Sequence, residues 1–239
     1  MRKVRFVRDG IYHIYNRGVE KRDIFLADRD RWRFLQGMYL FNNEDTVAGT
    51  LWQLEHEGRA LNFNTLKTFV AGSERKPLVR LMADCLMPNH YHFILQEIQE
   101  NGISRFMHKL GVGYTKYFNS KYERVGSLFQ STFKAAAIGI DETYLQYLLV
   151  YINVLNPAQL LEPELKKKGV KDVNSVLEFA KQYIWSTHRE YLQLRDSVVI
   201  EKGILGEFFP SPTQYEQFSR NVVLGKKYEA MGSLLLDPD

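Results

Sequence analysis

The stretch PLVRLMADCLMPNHYHFILQ, residues 77–96, decides the fold of this chain. Two mainly apolar runs, 77–87 and 90–96, flank the dipeptide Pro88-Asn89, whose residue types are typical of tight turns. This pattern predicts two antiparallel strands joined as a hairpin. The hairpin gives two neighbouring strands of a sheet, around which the other elements can be placed.

A pair of histidines interrupts the second strand. His90 and His92 are two residues apart, so both imidazoles face the same side of the sheet, whereas Tyr91 and Phe93 face the other side. Two imidazoles at this spacing can bind one divalent ion without rearrangement of the backbone. Two nitrogens do not complete a metal site, so a third ligand must come from elsewhere. The alternative interpretation is the exposed polar face of a half-covered antiparallel sheet.

The segments around the hairpin alternate between strand and helix patterns. Residues 11–18 alternate and end at a glycine, which predicts a strand and a turn. Apolar residues at helical spacing predict a helix over 26–43, with Asp28 as its N-cap. Later segments predict a helix over 102–121, a strand within 126–138 and a helix over 141–156. The order β-α-β-β-α-β predicts an α+β fold of the ferredoxin-like, or split βαβ, type, with an antiparallel sheet whose third strand is central.

Two segments lie outside this order. Residues 44–77 show no clear alternation, and we interpret them as an insertion with at least one helix, near 50–57 or 63–70. Beyond residue 165 the pattern is helical throughout, with helices predicted near 172–182, 186–195, 203–208 and 213–222. We therefore expect a main domain over 1–160 and a helical C-terminal extension over 161–239.

Composition limits the class of protein. The chain has 239 residues, 45% of them hydrophobic, which is enough for one sizeable core and too apolar for disorder. The N-terminus is basic without a following apolar stretch, and no later apolar run is long enough to span a membrane. The single cysteine, Cys85, cannot form an internal disulfide and is expected in the core. These features favour a soluble, cytoplasmic protein and argue against a secreted or membrane-spanning one.

Positive charge and aromatic residues coincide in two segments, 1–22 and 104–134. The net charge is only +4 and the isoelectric point is near 9.0, which alone says little about nucleic acids. Lysine and arginine neutralise phosphates and exposed rings stack on unpaired bases, so the mixture suits a single strand or a hairpin. The alternative is that the charges are solvated and the rings belong to the core.

The histidine pair also carries a family resemblance. A His-U-His pair (HUH, U being bulky and apolar), preceded by Met-Pro-Asn on a hairpin, resembles the single-tyrosine HUH transposases of the insertion-sequence-200 type, especially their relatives associated with repetitive extragenic palindromes (REP). Five further segments resemble family motifs in the same order: YHIYNRG (12–18), DRDRWRFL (28–35), GSLFQSTFKA (126–135), YLLVYINVLNP (147–157) and WSTHREYL (185–192). The resemblance spans roughly 11–195 without 44–77. The occurrence of all these motifs in the family's order is more specific for the family than any single motif.

The resemblance implies an enzyme, a DNA transposase and endonuclease that cleaves and rejoins single-stranded DNA after recognising a hairpin. Residues 1–160 would be its catalytic domain. It implies that His90 and His92 hold Mg²⁺ or Mn²⁺ against the scissile phosphate, while a helix tyrosine attacks the phosphorus. A covalent 5′-phosphotyrosine would conserve the bond energy for rejoining. Tyr151 occupies the motif position, and Tyr144 and Tyr147 on the same helix are the neighbours that could be mistaken for it.

The third metal ligand departs from the family pattern. The motif asparagine usually stands four residues after the tyrosine, but position 155 is Leu, and the candidates are Asn156 and Asn153. A one-residue π-bulge in the helix would restore the facing of Asn156. Without it the metal site is weakened, which would favour the alternative of a domesticated DNA-binding protein that keeps the fold but no longer cleaves.

Five residues are candidates for contacts with DNA, and one histidine remains unassigned. The candidates are Arg17, Lys109, Lys116, Gln130 and Lys134. His13 lies on the first strand, where it either faces the metal site or is a satisfied strand histidine. An RNA-binding module is a further alternative, because the same sheet topology serves RNA recognition through exposed aromatics. Whether the chain acts as a homodimer stays open.

Overall fold

The chain forms a four-stranded antiparallel sheet with helices on both faces. The computed structural model describes residues 4–45, 62–69, 75–139 and 141–225. The strands are β1 (Ile11–Arg17), β2 (Val79–Met87), β3 (His90–Glu97) and β4 (Lys134–Ile138). Their order across the sheet is β2-β3-β1-β4, and every neighbouring pair is antiparallel. The predicted ferredoxin-like α+β fold with a central third strand is confirmed.

The helices follow the predicted order, with shifted ends. They are α1 (Asp28–Phe41), α2 (Phe63–Phe69), α3 (Gly102–Lys121), α4 (Glu142–Val150), α5 (Asn156–Ala158), α6 (Leu165–Lys168), α7 (Val173–Gln182), α8 (His188–Tyr191), α9 (Ile204–Phe208) and α10 (Pro212–Val223). The helix predicted over 186–195 is wrong in length, because only α8 is helical there. Of the two helices considered in the insertion, α2 is present, and 50–57 lies outside the described residues.

Two hydrophobic layers enclose the sheet. On one face, α1 and α3 pack against strand residues such as Ile14, Tyr91 and Phe93, all of them buried. On the other face, α4 and the C-terminal helices pack against residues such as Ile94. The side of the sheet that carries His92 is therefore covered, and the interpretation of the histidines as an exposed polar face is wrong for His92, which has 0% exposure. No helix in the described part of the chain has the length and apolarity to span a bilayer.

The start of α1 is fixed by a buried carboxylate. Asp30 accepts hydrogen bonds from the backbone N–H groups of Leu26 and Ala27, so Asp28, the predicted N-cap, does not cap this helix. The Asp30 carboxylate also accepts from Lys121 and from the hydroxyls of two tyrosines near the end of α3, Tyr117 and Tyr122. This cluster ties the first turn of α1 to the end of α3 and stabilises the layer on that face.

We expect Asp30→Ala to lower the free energy of unfolding by about 3 kcal/mol, because removal of one partner leaves the Lys121 charge and two hydroxyls without their acceptor. Burial raises the pKa of the Asp30 carboxyl, but hydrogen bonds from Lys121, Tyr122 and Tyr117 lower it by more. The net pKa therefore lies below its ordinary value. The stabilisation is therefore complete above the unfolded-state pKa and is lost as the pH falls through the folded-state pKa. Urea titrations at pH 7 and pH 3 measure both effects.

The matched control is Asp28→Ala two residues earlier, whose carboxylate is largely exposed and forms a 3.5 Å contact with Arg31. Its expected change is within about 0.5 kcal/mol. Equal losses from the Asp28 and Asp30 variants would contradict the role given to the buried cluster.

Candidate active site

The histidine pair lies at the end of β3 that adjoins the tight turn. His90 is partly exposed and His92 is fully buried, with their ring centroids 5.1 Å apart and the ring planes nearly perpendicular. The turn is held from the neighbouring strand, because the N–H of Gly18 donates to the carbonyl of Asn89 at 2.9 Å. A Cβ at position 18 would lie 2.2 Å from the carbonyl oxygen of Arg22. Only glycine permits this close approach at the end of β1, which positions the turn beside His90.

His90 lies between two amide oxygens. Its Nδ1 is 2.6 Å from Oδ1 of Asn89, and its Nε2 is 3.3 Å from Oδ1 of Asn156. Burial, with the charges of Lys166 and Arg17, lowers the pKa of His90 to about 4, although the contact with Asn156 raises it. A neutral imidazole carries one proton, so one of the two contacts places a nitrogen lone pair against an oxygen lone pair. With the proton on Nδ1, Nε2 of His90 and Oδ1 of Asn156 both present lone pairs. Two neighbouring lone pairs of this kind can bind a cation.

The second histidine is oriented by a third. Nδ1 of His92 and Nε2 of His13 share a hydrogen bond at 2.8 Å, and the two rings stack with centroids 5.0 Å apart. Burial lowers the pKa of His13 to about 3, and burial together with the neighbouring charges lowers the pKa of His92 well below its ordinary value. Both rings are therefore neutral near pH 7. A metal on Nε2 of His92 requires the proton of that ring on Nδ1, which then donates to His13.

His13 was only a weak candidate in the sequence, since a histidine in a strand pattern has no partner until the register is known. The register places Tyr15 opposite His92 and His13 opposite Ile94, so the two histidines are diagonal neighbours on one face. The alternation of residues 11–18 does predict the face on which His13 lies. It does not predict which residue of another strand it meets.

Tyr151 approaches the histidines from the helix layer. Its ring centroid is 5.8 Å from that of His92, with ring planes nearly perpendicular, and its side chain has 0% exposure. The ammonium group of Lys166 donates to the Tyr151 hydroxyl at 3.0 Å. Tyr147 instead packs on Phe218, with centroids 5.3 Å apart. Of the three tyrosines on this helix, Tyr151 is the one whose ring contacts a histidine of the pair within the described residues.

A π-helical turn, Tyr151–Leu155, interrupts the helix between α4 and α5. It adds the extra residue needed for a group five positions after the tyrosine to face the same side. Asn156 accordingly lies beside His90, as described above, and its Oδ1 also accepts from Nε2 of Gln159 at 2.9 Å.

Asn153, the other candidate ligand, faces away from the histidines. Its amide donates to the hydroxyl of Tyr215 at 3.1 Å and accepts from the hydroxyl of Thr187 at 2.7 Å. Asn153 thus links the π-turn to the C-terminal helices, and its side chain is committed to that contact. The sequence motif WSTHREYL contributes Thr187 to this link.

The candidate DNA contacts fall in different places. Arg17 ends β1 opposite His90 and is 8% exposed, and its Nε has no hydrogen-bond partner among the described residues. Lys116 and Gln130 line one cavity of about 630 Å³ between α3 and the loop before β4. Lys134 lies over the ring of Tyr15, with its nitrogen 5.9 Å from the centroid. Lys109 donates to the carbonyl oxygens of residues 43 and 44, which commits its amine to the backbone at the end of α1.

The field around His90 is positive. Both cations that act on its pKa, Lys166 and Arg17, disfavour a further positive charge there. Within the described part of the chain, no group of three or more histidine, cysteine, aspartate and glutamate side chains is arranged to hold a metal ion. A cation at this position would therefore have two imidazoles and one amide oxygen as its protein ligands, none of them charged. An anionic phosphate would supply the missing negative charge.

Comparison with known proteins agrees with the sequence resemblance. The family model described as IS200-like transposase matches residues 60–154. A solved structure of a REP-associated tyrosine transposase bound to a REP hairpin is 14% identical, with a TM-score of 0.46, and the alignment covers 84% of this chain and 98% of that one. No curated protein matches the chain. The resemblance is confirmed: over the segment that carries His90, His92 and Tyr151, this chain is similar to the IS200-like transposases.

Proposed function

We propose that the protein cleaves and rejoins single-stranded DNA next to a hairpin, through a 5′-phosphotyrosine on Tyr151. The observation that supports this most is the approach of Tyr151 to His92 within one chain, at 5.8 Å between ring centroids. A tyrosine buried only for packing has no need of an ammonium group at its hydroxyl, which Lys166 supplies at 3.0 Å. The experiment that tests the proposal is incubation with hairpin DNA and Mn²⁺, followed by mass spectrometry of the protein for a nucleotide adduct.

The metal of this reaction would be Mg²⁺ or Mn²⁺, held by His90, His92 and Asn156. The fit rests on the converging Nε2 and Oδ1 atoms of His90 and Asn156, and on the neutral state of both imidazoles. A bound divalent ion would neutralise phosphate charge and assist departure of the 3′ oxygen. IS200-like transposases, as HUH enzymes, generally use such an ion.

The chain's own groups would do the rest. Tyr151 supplies the attacking oxygen. The guanidinium of Arg17 is buried beside His90, its Nε has no hydrogen-bond partner in the described part of the chain, and it is placed to hold a phosphate oxygen. The partly exposed residues His90, Gln159 and Lys166 surround the otherwise buried centre, so the phosphate would enter from their side. Because Tyr151 and its histidines belong to one chain here, we propose that it acts within that chain, also in a homodimer.

A domesticated protein that binds DNA without cleaving it would need a centre that has lost a ligand. The π-turn places Asn156 beside His90, which favours the enzyme. The RNA-binding alternative requires exposed rings on the sheet, but Tyr91 and Phe93 are buried under the helices at 2% and 0% exposure.

Hairpin affinity is expected to fall steeply with salt, and Lys116→Glu is expected to lower both the affinity and the salt slope. Each neutralised phosphate contributes roughly 0.7 to 0.9 to the slope of log affinity against log salt, so the variant should lose about one such contribution. Fluorescence anisotropy of a labelled hairpin, titrated between about 50 and about 300 mM salt, measures both the affinity and the salt slope. Lys109 is unsuitable for this test, because its amine holds backbone carbonyls.

Lys181→Glu is the matched control for charge, since Lys181 is exposed on α7, away from the proposed DNA surface. An affinity that is independent of salt, or equal losses from both reversals, would contradict the assignment of Lys116.

His13→Phe is expected to weaken Mn²⁺ binding and slow cleavage by roughly 10- to 100-fold, the usual cost of removing the partner of a metal-bound imidazole. Phenylalanine keeps the stacking with His92 but offers no acceptor for its Nδ1 proton. Calorimetric titration with Mn²⁺ gives the affinity directly. Restored affinity in His13→Gln, which again offers an acceptor, distinguishes orientation from packing, and unchanged affinity in His13→Phe would refute the role.

A further inference from the structure

The short helix α6 carries three consecutive lysines, of which one differs from its neighbours. Lys166 is partly buried, whereas Lys167 and Lys168 are exposed. The Lys166 ammonium lies 3.0 Å from the Tyr151 hydroxyl and 5.2 Å from the centroid of its ring. The amine of a surface lysine normally remains in water. The position of the Lys166 amine at the tyrosine hydroxyl therefore needs an explanation other than ordinary solvation.

We propose that Lys166 is a catalytic residue, which holds the phenolic oxygen of Tyr151 in place and stabilises its negative charge. The inference rests on the proposed function, because it assigns a role in the reaction of Tyr151. Lys166 lies outside the segment that matches the transposase family, 60–154. It reaches the site because the chain after residue 160 returns to the tyrosine.

The chemistry conserves atoms and charge. In cleavage, the bond between the Tyr151 oxygen and phosphorus forms, the bond between phosphorus and the 3′ oxygen breaks, and the phenolic proton ends on that 3′ oxygen. Lys166 keeps its own protons and donates one hydrogen bond throughout. In rejoining, the bond between a 3′ oxygen and phosphorus forms, the bond between phosphorus and the Tyr151 oxygen breaks, and the proton of the 3′-hydroxyl ends on that phenolic oxygen. The phenolate is the leaving group, and an ammonium 3.0 Å away stabilises it as it departs.

The surroundings agree with a charged lysine that works at this oxygen. Its charge acts on both His90 and His92, so the amine lies within the field of the proposed metal site. It also stands on the partly exposed side through which a phosphate would enter. A phosphate bound there would offset the positive charges of Lys166 and Arg17.

The test compares Lys166→Met with Lys167→Met, its neighbour on the same helix. A 3′-labelled hairpin oligonucleotide that the wild type cleaves, selected from a randomised pool, is mixed with excess protein and Mn²⁺, so that the label stays on the fragment joined to the protein. Adduct formation and the release of DNA on adding a 3′-hydroxyl strand are then followed in single turnover. Lys166→Met is expected to slow both steps by roughly 100-fold, the usual cost of losing one donor to a developing oxyanion, whereas hairpin affinity should fall far less, by the contribution of one phosphate contact.

Two further measurements distinguish a catalytic role of Lys166 from a purely structural one. Lys166→Arg, which retains a charged donor, should recover part of the rate, and added ethylamine should accelerate Lys166→Ala but not the wild type. Neither result is expected of a lysine that only packs, and both remain informative if Lys166→Met proves unstable. Equal rates for Lys166→Met and Lys167→Met, or no recovery by arginine or amine, would overturn the assignment while leaving the proposed function intact. A wild type that forms no adduct with any hairpin of the pool would overturn both.

Discussion

Tyr151→Phe is expected to form no covalent adduct with DNA under conditions in which the wild type does. Phenylalanine retains the ring that packs perpendicular to His92 but lacks the oxygen that attacks phosphorus. The variant should bind hairpin DNA like the wild type, because phosphate contacts supply most of the binding free energy. In the wild type, mass spectrometry of a proteolysed adduct should locate the 5′-phosphate on the peptide that contains Tyr151, with a free 3′-hydroxyl on the other fragment.

Tyr147→Phe is the matched control. Tyr147 stands one helical turn earlier and packs on Phe218, away from the histidines, so its loss of a hydroxyl should leave the reaction in place. Thermal melting of both variants checks that they fold. An adduct on Tyr144 or Tyr147 would refute the choice of nucleophile. The absence of an adduct across a broad set of hairpins would favour a DNA-binding protein that no longer cleaves.

His90→Ala and His92→Ala are each expected to reduce cleavage by roughly 10³-fold or more. A divalent ion contributes several kcal/mol to such a transition state, and about 1.4 kcal/mol corresponds to a factor of ten in rate. Each variant should also lose measurable Mn²⁺ binding, since one imidazole and one amide oxygen hold a divalent ion poorly. Hairpin affinity in the absence of metal should change little.

The two variants differ in their structural cost, which makes the comparison useful. His90 is partly exposed, whereas His92 is fully buried and leaves His13 without its partner when removed. His92→Ala should therefore also lower the melting temperature, and His90→Ala should not. His108→Ala, on an exposed position of α3, controls for loss of an imidazole at the surface. Cleavage at the wild-type rate by both alanine variants would show that the metal assignment is wrong.

The sheet could be predicted because its patterns are local. Alternation over 11–18, the turn at Pro88-Asn89 and the bounds of 102–121 each depend on neighbours in sequence, and the βαββαβ order then leaves few topologies. The cover over the histidine face could not be predicted in the same way. It is formed by α4 and by helices after residue 160, whose placement depends on long-range packing.

Only part of the site could be predicted, because some of its residues belong to sequence motifs and others meet their partners only in the folded chain. The motifs named His90, His92 and Tyr151, because a motif records which residues stand together in a family. His13 and Lys166 were not assigned roles, since each meets its partner across the fold: His13 through the register of β1 with β3, and Lys166 through the return of α6 to the tyrosine. In the sequence, nothing distinguishes Lys166, the first of three consecutive lysines, from its exposed neighbours Lys167 and Lys168.

The π-turn also bears on how such proteins change over generations. One residue added to an α-helix rotates everything after it by about 100°, which would swing a ligand out of a site and displace every helix downstream. A five-residue turn absorbs the added residue where it arises, so that Asn156 still meets His90 and Asn153 meets the C-terminal helices. An insertion of one residue in this helix can therefore be accommodated without loss of the contact between Asn156 and His90. A motif search that demands an asparagine four places after the tyrosine would count this chain as degenerate, although its side chains converge.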